Sequence, residues 1–293
     1  MRRQLTYVVL LVLLMSVQAA SAKSPPPGSG AGDVPANVLL MLDTSGSMGW
    51  QLPSNTAFGN MSDVAVDSKG NFYITEYRYH RVRKFSPGGD LLTSWGTYGS
   101  GNGQFRTPNG LAIDRSDNVY VSDSGNQRIQ KFTSDGKFIL KWGKNGYTHN
   151  YRKCGWQWES KCEGILMWPA GMAVDRAGNI YVADYHVRKI QKFTSTGRFL
   201  AVAGASSPLA VAVTRTNPDG YGTDKIYVAE YAHSFVRKFI PRPGSCRYGA
   251  HCFAPVANWS RGFRNPQSIA TNSSNHVIIA DTGNHRIVVL DSN

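Results

Sequence analysis

Five copies of one short strand run through the chain. They are Asn71-Phe-Tyr-Ile-Thr-Glu, Asn118-Val-Tyr-Val-Ser-Asp, Asn179-Ile-Tyr-Val-Ala-Asp, Lys225-Ile-Tyr-Val-Ala-Glu and His276-Val-Ile-Ile-Ala-Asp. Each leads across a short loop to a second shared strand ending at Phe85, Phe132, Phe193, Phe239 or Leu290, at successive gaps of 47, 61, 46 and 51 residues. The clearest copy, Thr107–Gly143, reads as four short strands broken at Ser116–Asn118, Ser124–Gln127 and Asp135-Gly136. Ser, Asn, Asp and Gly at those breaks favour turn conformations. A four-strand unit recurring about every 40–50 residues is the pattern of a β-propeller, one unit to a blade. The expected fold class is therefore all-β.

The repeated text from Leu111 through Gly143, with NVYVSDSGNQRIQKF at its centre, resembles the NHL repeat, and five such units cover Asn60 to the C-terminus. The resemblance implies an NHL-type propeller but no particular activity, because one scaffold carries unrelated functions. Members of that family usually have six blades. Here four complete units, plus a fifth lacking its last strand, leave three alternatives: a closed five-bladed ring, a distorted six-bladed ring, or an open arc.

The chain begins with Arg2 and Arg3, an apolar run from Tyr7 to Val17 and then Ala20-Ser21-Ala22. This reads as a secretory signal peptide over residues 1–22, too short in its apolar part to span a bilayer. No later stretch reaches the roughly 18 apolar residues of a membrane helix, so a secreted or periplasmic protein is expected. Residues 23–36, rich in Pro, Gly and Ser, read as a disordered linker, and residues 37–293 as the propeller with an N-terminal closing segment. Asn37–Met48 resembles the first strand and metal loop of a von Willebrand factor A domain, which would make Asp43, Ser45 and Ser47 ligands of Mg²⁺. However, the first propeller unit begins near Asn60, leaving no room for such a domain. The same segment aligns with the third strand, turn and fourth strand of a blade. An N-terminal strand that completes the last blade would close the ring and hide its exposed edges.

Two insertions interrupt the repeats. Gly146–Met167 holds Cys154 and Cys162, and Pro241–Gly262 holds Cys246 and Cys252, the only four cysteines in the chain. Four cysteines allow three pairings. Close spacing and an oxidising destination favour Cys154–Cys162 and Cys246–Cys252. Zinc binding is the competing reading, weakened by spacings that match no finger.

In a propeller the loops between second and third strands share one face with the connections between blades. On that face Glu76, Asp123, Asp184, Glu230 and Asp281 form one column, and Arg81, Arg128, Lys189 and Arg286 another, broken by Phe235. Recurring opposite charges point to structural pairs. The varying positions hold Tyr77, Arg78, His80, Tyr185, His186, Tyr231, His233 and His285, which are the candidate ligand-binding residues. The formal charge of +13 falls to +11 when the leader is removed, favouring acidic partners: a protein, a peptide, an anionic polymer or nucleic acid.

The expected function is an exported, non-catalytic binding or scaffold module with no cofactor. One alternative is a metal-dependent enzyme resembling the peptidyl-α-hydroxyglycine α-amidating lyase. That likeness places zinc-binding histidines at the start of some first strands, where this chain has Ser62, Asn109, Ala170, Leu209 and Gln267. Another is single-stranded nucleic-acid binding, which some NHL propellers perform on a basic face.

Overall fold

The computed structural model describes residues 61–145, 164–214, 225–242, 251–259, 262–272 and 276–291. They form a five-bladed β-propeller. Blade 1 comprises β1 (Met61–Val66), β2 (Phe72–Glu76), β3 (Arg81–Phe85) and β4 (Leu91–Trp95). Blade 2 comprises β5 (Pro108–Ile113), β6 (Val119–Asp123), β7 (Arg128–Phe132) and β8 (Phe138–Trp142). A two-stranded parallel ribbon, β9 (Lys144–Asn145) with β10 (Ile165–Leu166), then leads into blade 3. That blade is β11 (Pro169–Val174), β12 (Ile180–Asp184), β13 (Lys189–Phe193) and β14 (Phe199–Gly204). Blade 4 is β15 (Pro208–Val213), β16 (Ile226–Glu230), β17 (Phe235–Arg242) and β18 (His251–Trp259). Blade 5 has three strands among the described residues: β19 (Ser268–Thr271), β20 (Val277–Asp281) and β21 (Arg286–Leu290).

The second strand of every blade is buried along its whole length. Because it lies between two neighbouring blades, both of its faces are apolar, which accounts for the near-continuous hydrophobic run in the sequence. Alternate side chains face opposite neighbours. Val119, Val121 and Phe132 meet Tyr73 and Val82 of blade 1, and Ile226, Val228 and Phe239 meet Tyr181, Ala183 and Ile190 of blade 3. The first strands crowd together at the axis. A Cβ on Gly110 would stand 2.2 Å from the Ala170 carbonyl oxygen, so only glycine fits there.

A polar cluster repeats on the face opposite the β2–β3 loop. Asp67, Asp114 and Asp175 accept hydrogen bonds from the hydroxyls of Tyr73 (3.0 Å), Tyr120 (2.9 Å) and Tyr181 (3.3 Å). They pair with Lys84, Lys131 and Lys192 at 3.6, 3.7 and 2.9 Å. Each lysine also lies over the tyrosine ring of its own blade, at 5.1, 5.0 and 4.7 Å. Although burial opposes it, the hydrogen bonds from Asn71, Tyr73 and Lys69 hold the Asp67 carboxyl below its ordinary range. Burial, followed by the charge of Asp67, raises the Tyr73 hydroxyl. The pattern was present in the sequence as Asp, Asn four residues on, Tyr two further, and Lys on the next strand.

One expectation is corrected. The segment Pro241–Gly262 is not wholly an insertion interrupting the repeats, because its residues His251–Trp259 are β18, the outer strand of blade 4. β17 continues through Ile240-Pro241-Arg242, and this extra length carries β18 outward until Ala201 and Val202 of β14 pair with His251 and Cys252. The outer strands of blades 3 and 4 therefore join in one eight-stranded sheet.

First strands pack side by side from β1 to β5, β11, β15 and β19, and among the described residues no comparable packing joins β19 to β1. The N-terminal closing strand, the signal peptide, the linker, the metal-loop residues Asp43, Ser45 and Ser47, and the side chains of all four cysteines lie outside the described residues.

Candidate functional site

The loops between second and third strands, at 77–80, 124–127, 185–188, 231–234 and 282–285, open on one face with the connections between blades. Each begins beside an acid at the end of its second strand and finishes in a left-handed residue: His80, Gln127, Arg188, Ser234 or His285 (φ 52–56°). None of these is glycine, so every loop makes the same tight turn at a small conformational cost.

The acidic column is structural. Glu76, Asp123, Asp184, Glu230 and Asp281 are fully buried. Asp123 accepts from the Arg106 backbone N–H (2.7 Å), Asp184 from Met167 (2.8 Å) and Trp168 (3.0 Å), Glu230 from Ser206 and Ser207 (2.7 Å each), and Asp281 from Arg264 (2.7 Å). Each of these four carboxylates thus holds the chain that leads into its own blade. Arg128 and Arg286 pair with Asp123 and Asp281 at 2.7 Å, and Arg81 with Glu76. In blade 4, where Phe235 interrupts the basic column, Arg237 two residues on reaches Glu230 at 3.3 Å. Burial pushes the Asp123 and Asp184 carboxyls up against these hydrogen bonds. For Asp281 the hydrogen bonds from Arg264, Asn284 and Arg286 prevail over burial and hold the carboxyl down.

The candidate ligand residues lie on this face at four different loop positions. Tyr77, Tyr185 and Tyr231 share the first, Arg78 and His186 the second; His233 holds the third, and His80 and His285 the left-handed fourth. Arg78, His186, His233 and His285 are exposed, whereas the three tyrosines and His80 are half-buried. His80 accepts the Thr107 N–H on Nδ1 (3.2 Å) and packs on Tyr98. His186 lies between Trp168 and Tyr185, with ring centroids 5.5 and 5.7 Å away.

Sequence reasoning missed a Ser–His pair in blade 4. Ser207 Oγ and His233 Nδ1 are 3.0 Å apart. Ser207 is buried, and its hydroxyl oxygen already accepts the Ala232 N–H at 3.0 Å. With no open approach to the hydroxyl, the pair secures the loop rather than forming an activated nucleophile. Asp63, on the first strand of blade 1, was also missed. It stands in the position filled elsewhere by Gly110, Gly171, Ala210 and Ser268, and it accepts the Leu111 and Val64 N–H groups at 2.8 Å each. Burial pushes its carboxyl up to about 7. Among the described residues no three His, Cys, Asp or Glu side chains are gathered so as to hold a metal ion.

The family model described as SMP-30/Gluconolactonase/LRE-like region matches residues 44–229, and that of the NHL repeat matches residues 263–290. No curated protein matches the chain. Among solved structures, a streptogramin B lyase is 15% identical with a TM-score of 0.51, covering 89% of this chain and 78% of its own. A virginiamycin B lyase from Staphylococcus aureus is 12% identical with a TM-score of 0.50, covering 81% and 71%. A protein of unknown function from Bacteroides caccae is 14% identical with a TM-score of 0.52, covering 79% and 78%. At these identities the likeness is one of fold.

Proposed function

For this chain, which belongs to the SMP-30/Gluconolactonase/LRE-like family, we propose an exported, non-catalytic binding module. Its loop-bearing face takes an acidic or polar partner. The observation that carries this reading is the division of labour on that face. All five of its strand-end carboxylates are buried, and Asp123, Asp184, Glu230 and Asp281 fix their lead-in chains, while Arg78, His186, His233 and His285 stand exposed above them. A uniform foundation with varied outward groups suits recognition. The two lyases share the fold, and fold alone carries no activity. Local disulfides Cys154–Cys162 and Cys246–Cys252 belong to the same proposal, as supports for the connections on this face and for β18.

The test is binding of three probes, polyglutamate, oligo-dT and polygalacturonate, to the wild type, to Arg78→Glu and to a Tyr185→Ala/His186→Ala double variant. Arg78→Glu is expected to weaken binding severalfold and reduce its salt sensitivity. The double variant is expected to weaken binding with little change in salt dependence, because rings supply short-range contact and charge mainly supplies encounter. Binding that ignores both substitutions would overturn the assignment to this face. Stoichiometric zinc with chelator-sensitive turnover would overturn the non-catalytic reading.

A further inference from the structure

Arg106 and Arg264 occupy equivalent places at the lead-in to blades 2 and 5, and the chain builds both in the same way. Each donates its backbone N–H to the buried strand-end acid, and each carbonyl accepts an N–H from a loop glycine, Gly125 (2.8 Å) or Gly283 (2.7 Å). A Cβ on those glycines would come within 2.7 Å of Arg106 Cγ and 2.6 Å of Arg264 Cγ. The glycine of Asp-Ser-Gly-Asn and Asp-Thr-Gly-Asn is therefore a shelf on which an arginine stem lies, leaving the arginine exposed on the face. In blade 1, Arg78 stands at the glycine position itself and is exposed. Arg188 is exposed in blade 3. Exposed arginines thus occur in four sectors of the ring, and among the described residues of that face no carboxylate is exposed. The opposite face is mixed: Lys69, Arg115, Lys137, Arg176 and Arg198 share it with exposed Asp90, Asp135 and Asp291.

We propose that the loop-bearing face binds an extended anionic polysaccharide, its carboxylate or sulfate groups engaged by the ring of arginines. This rests on the binding-module reading above and names its partner class. Arginine presents a planar fork that matches such oxyanions. Two properties separate this partner from other polyanions. Single-stranded nucleic acid calls for stacking platforms beside its phosphates, yet among the described residues the exposed large aromatics, Tyr79 and Tyr98, both belong to the blade 1 sector. An acidic protein calls for apolar anchors at the centre of its footprint. Among the described residues, the exposed large aliphatic side chains of Leu91, Leu92, Ile139, Val256 and Val289 instead lie on β4, β8, β18 and β21, away from the face. Charges carried on a sugar chain require neither.

The experiment measures Kd across a salt series for heparin (sulfated) and polygalacturonate (carboxylated), with oligo-dT and polyglutamate as competing classes. The face variant is Arg106→Glu/Arg264→Glu. Its control, Lys137→Glu/Arg198→Glu, makes the same change in net charge on the opposite face. The face variant is expected to weaken polysaccharide binding about tenfold or more and to lower the salt slope by roughly two, one for each cation removed. The control is expected to stay near wild type. Arg106→Gln/Arg264→Gln, which retains both backbone hydrogen bonds, keeps the test open should the Glu variant misfold. Whichever polysaccharide binds tighter identifies the oxyanion. Equal losses in face and control variants would reduce the effect to net charge and overturn the proposal. Tighter retention of oligo-dT or polyglutamate, still sensitive to face variants, would overturn the partner class while sparing the binding module. Failure of all four probes to bind at low salt would overturn both.

Discussion

Asp63 shows how one residue can depart from a repeat and leave the fold intact. Its position is otherwise filled by small residues, because a side chain there points at the neighbouring first strand. Asp63 uses that contact, caps the Leu111 N–H across the blade boundary at 2.8 Å, and accepts a second backbone N–H from Val64. Burial raises its carboxyl to about 7, so the folded protein holds this proton more tightly than the unfolded chain does. Stability from this group is therefore present in full below the ordinary value of 3.8 and is lost progressively as pH rises to about 7. Asp63→Asn removes the charge and keeps the shape. We expect the difference in unfolding free energy between variant and wild type to shift in the variant's favour, by on the order of 2 kcal/mol, from pH 5 to pH 8. Denaturant midpoints at the two pH values check it, and a difference independent of pH would contradict it. Taking the variant against the wild type cancels Asp67, Asp175 and Asp281, whose depressed carboxyls weaken the fold only in stronger acid.

At the scale of elements, the informative strands are the two at the ends of sheets. β18 shows that a segment reading as an insertion can supply a required outer strand, since its repeat signature had diverged while its pairing with β17 had not. β21 is the outermost described strand of a three-stranded blade, and its Val289 is 59% exposed where blades 1 to 3 place a paired lysine. Across the seam, Phe72, Ile74 and Phe85 of blade 1 form a buried cluster in which no blade 5 residue takes part. These edges fit the proposal that an N-terminal strand at Val38–Leu42 pairs near Ile287–Leu290 and closes the ring. Deleting Asn37–Gln51 is then expected to lower the melting temperature sharply and to promote association through the bared edge. Unchanged melting with a monomeric elution profile would refute closure by this segment.

For the whole molecule, the repeated Asp–Tyr–Lys cluster fades along the chain. Blades 1 to 3 carry it complete, blade 4 has Thr214 in place of the aspartate, and blade 5 has Asn272, Ile278 and Val289 in place of all three members. Buried ionic hydrogen bonds of this kind hold a blade to its own turn, and Tyr73 and Lys84 also reach the Ser134 carbonyl of the next blade at 3.3 Å each. Local opening free energy should therefore vary around the ring. Amide exchange is expected to be slowest in β6 and β12 and at least about tenfold faster in β20, although all three strands are equally buried. Uniform protection across the five blades would show that the cluster does not set local stability.

The sequence by itself determined the repeat, the all-β propeller and the structural nature of the charge columns, because strand period, turn residues and the buried acid are local and recur in every unit. It also placed Tyr77, Arg78, His80, Tyr185, His186, Tyr231, His233 and His285 on one face, since strand alternation fixes which loops emerge together. Tertiary structure alone decided that Arg78, His186, His233 and His285 stand exposed while the three tyrosines and His80 are half-buried. It alone made β18 an outer strand, replaced Phe235 by Arg237 as the partner of Glu230, and set Arg106 and Arg264 on glycine shelves. The junction of β14 with β18 and the glycine shelves depend on approaches between segments about 20 residues apart or more and on whether a Cβ fits where two backbones meet, and the Glu230–Arg237 pair depends on which side chain reaches across its hairpin. No period in a single strand encodes such distances.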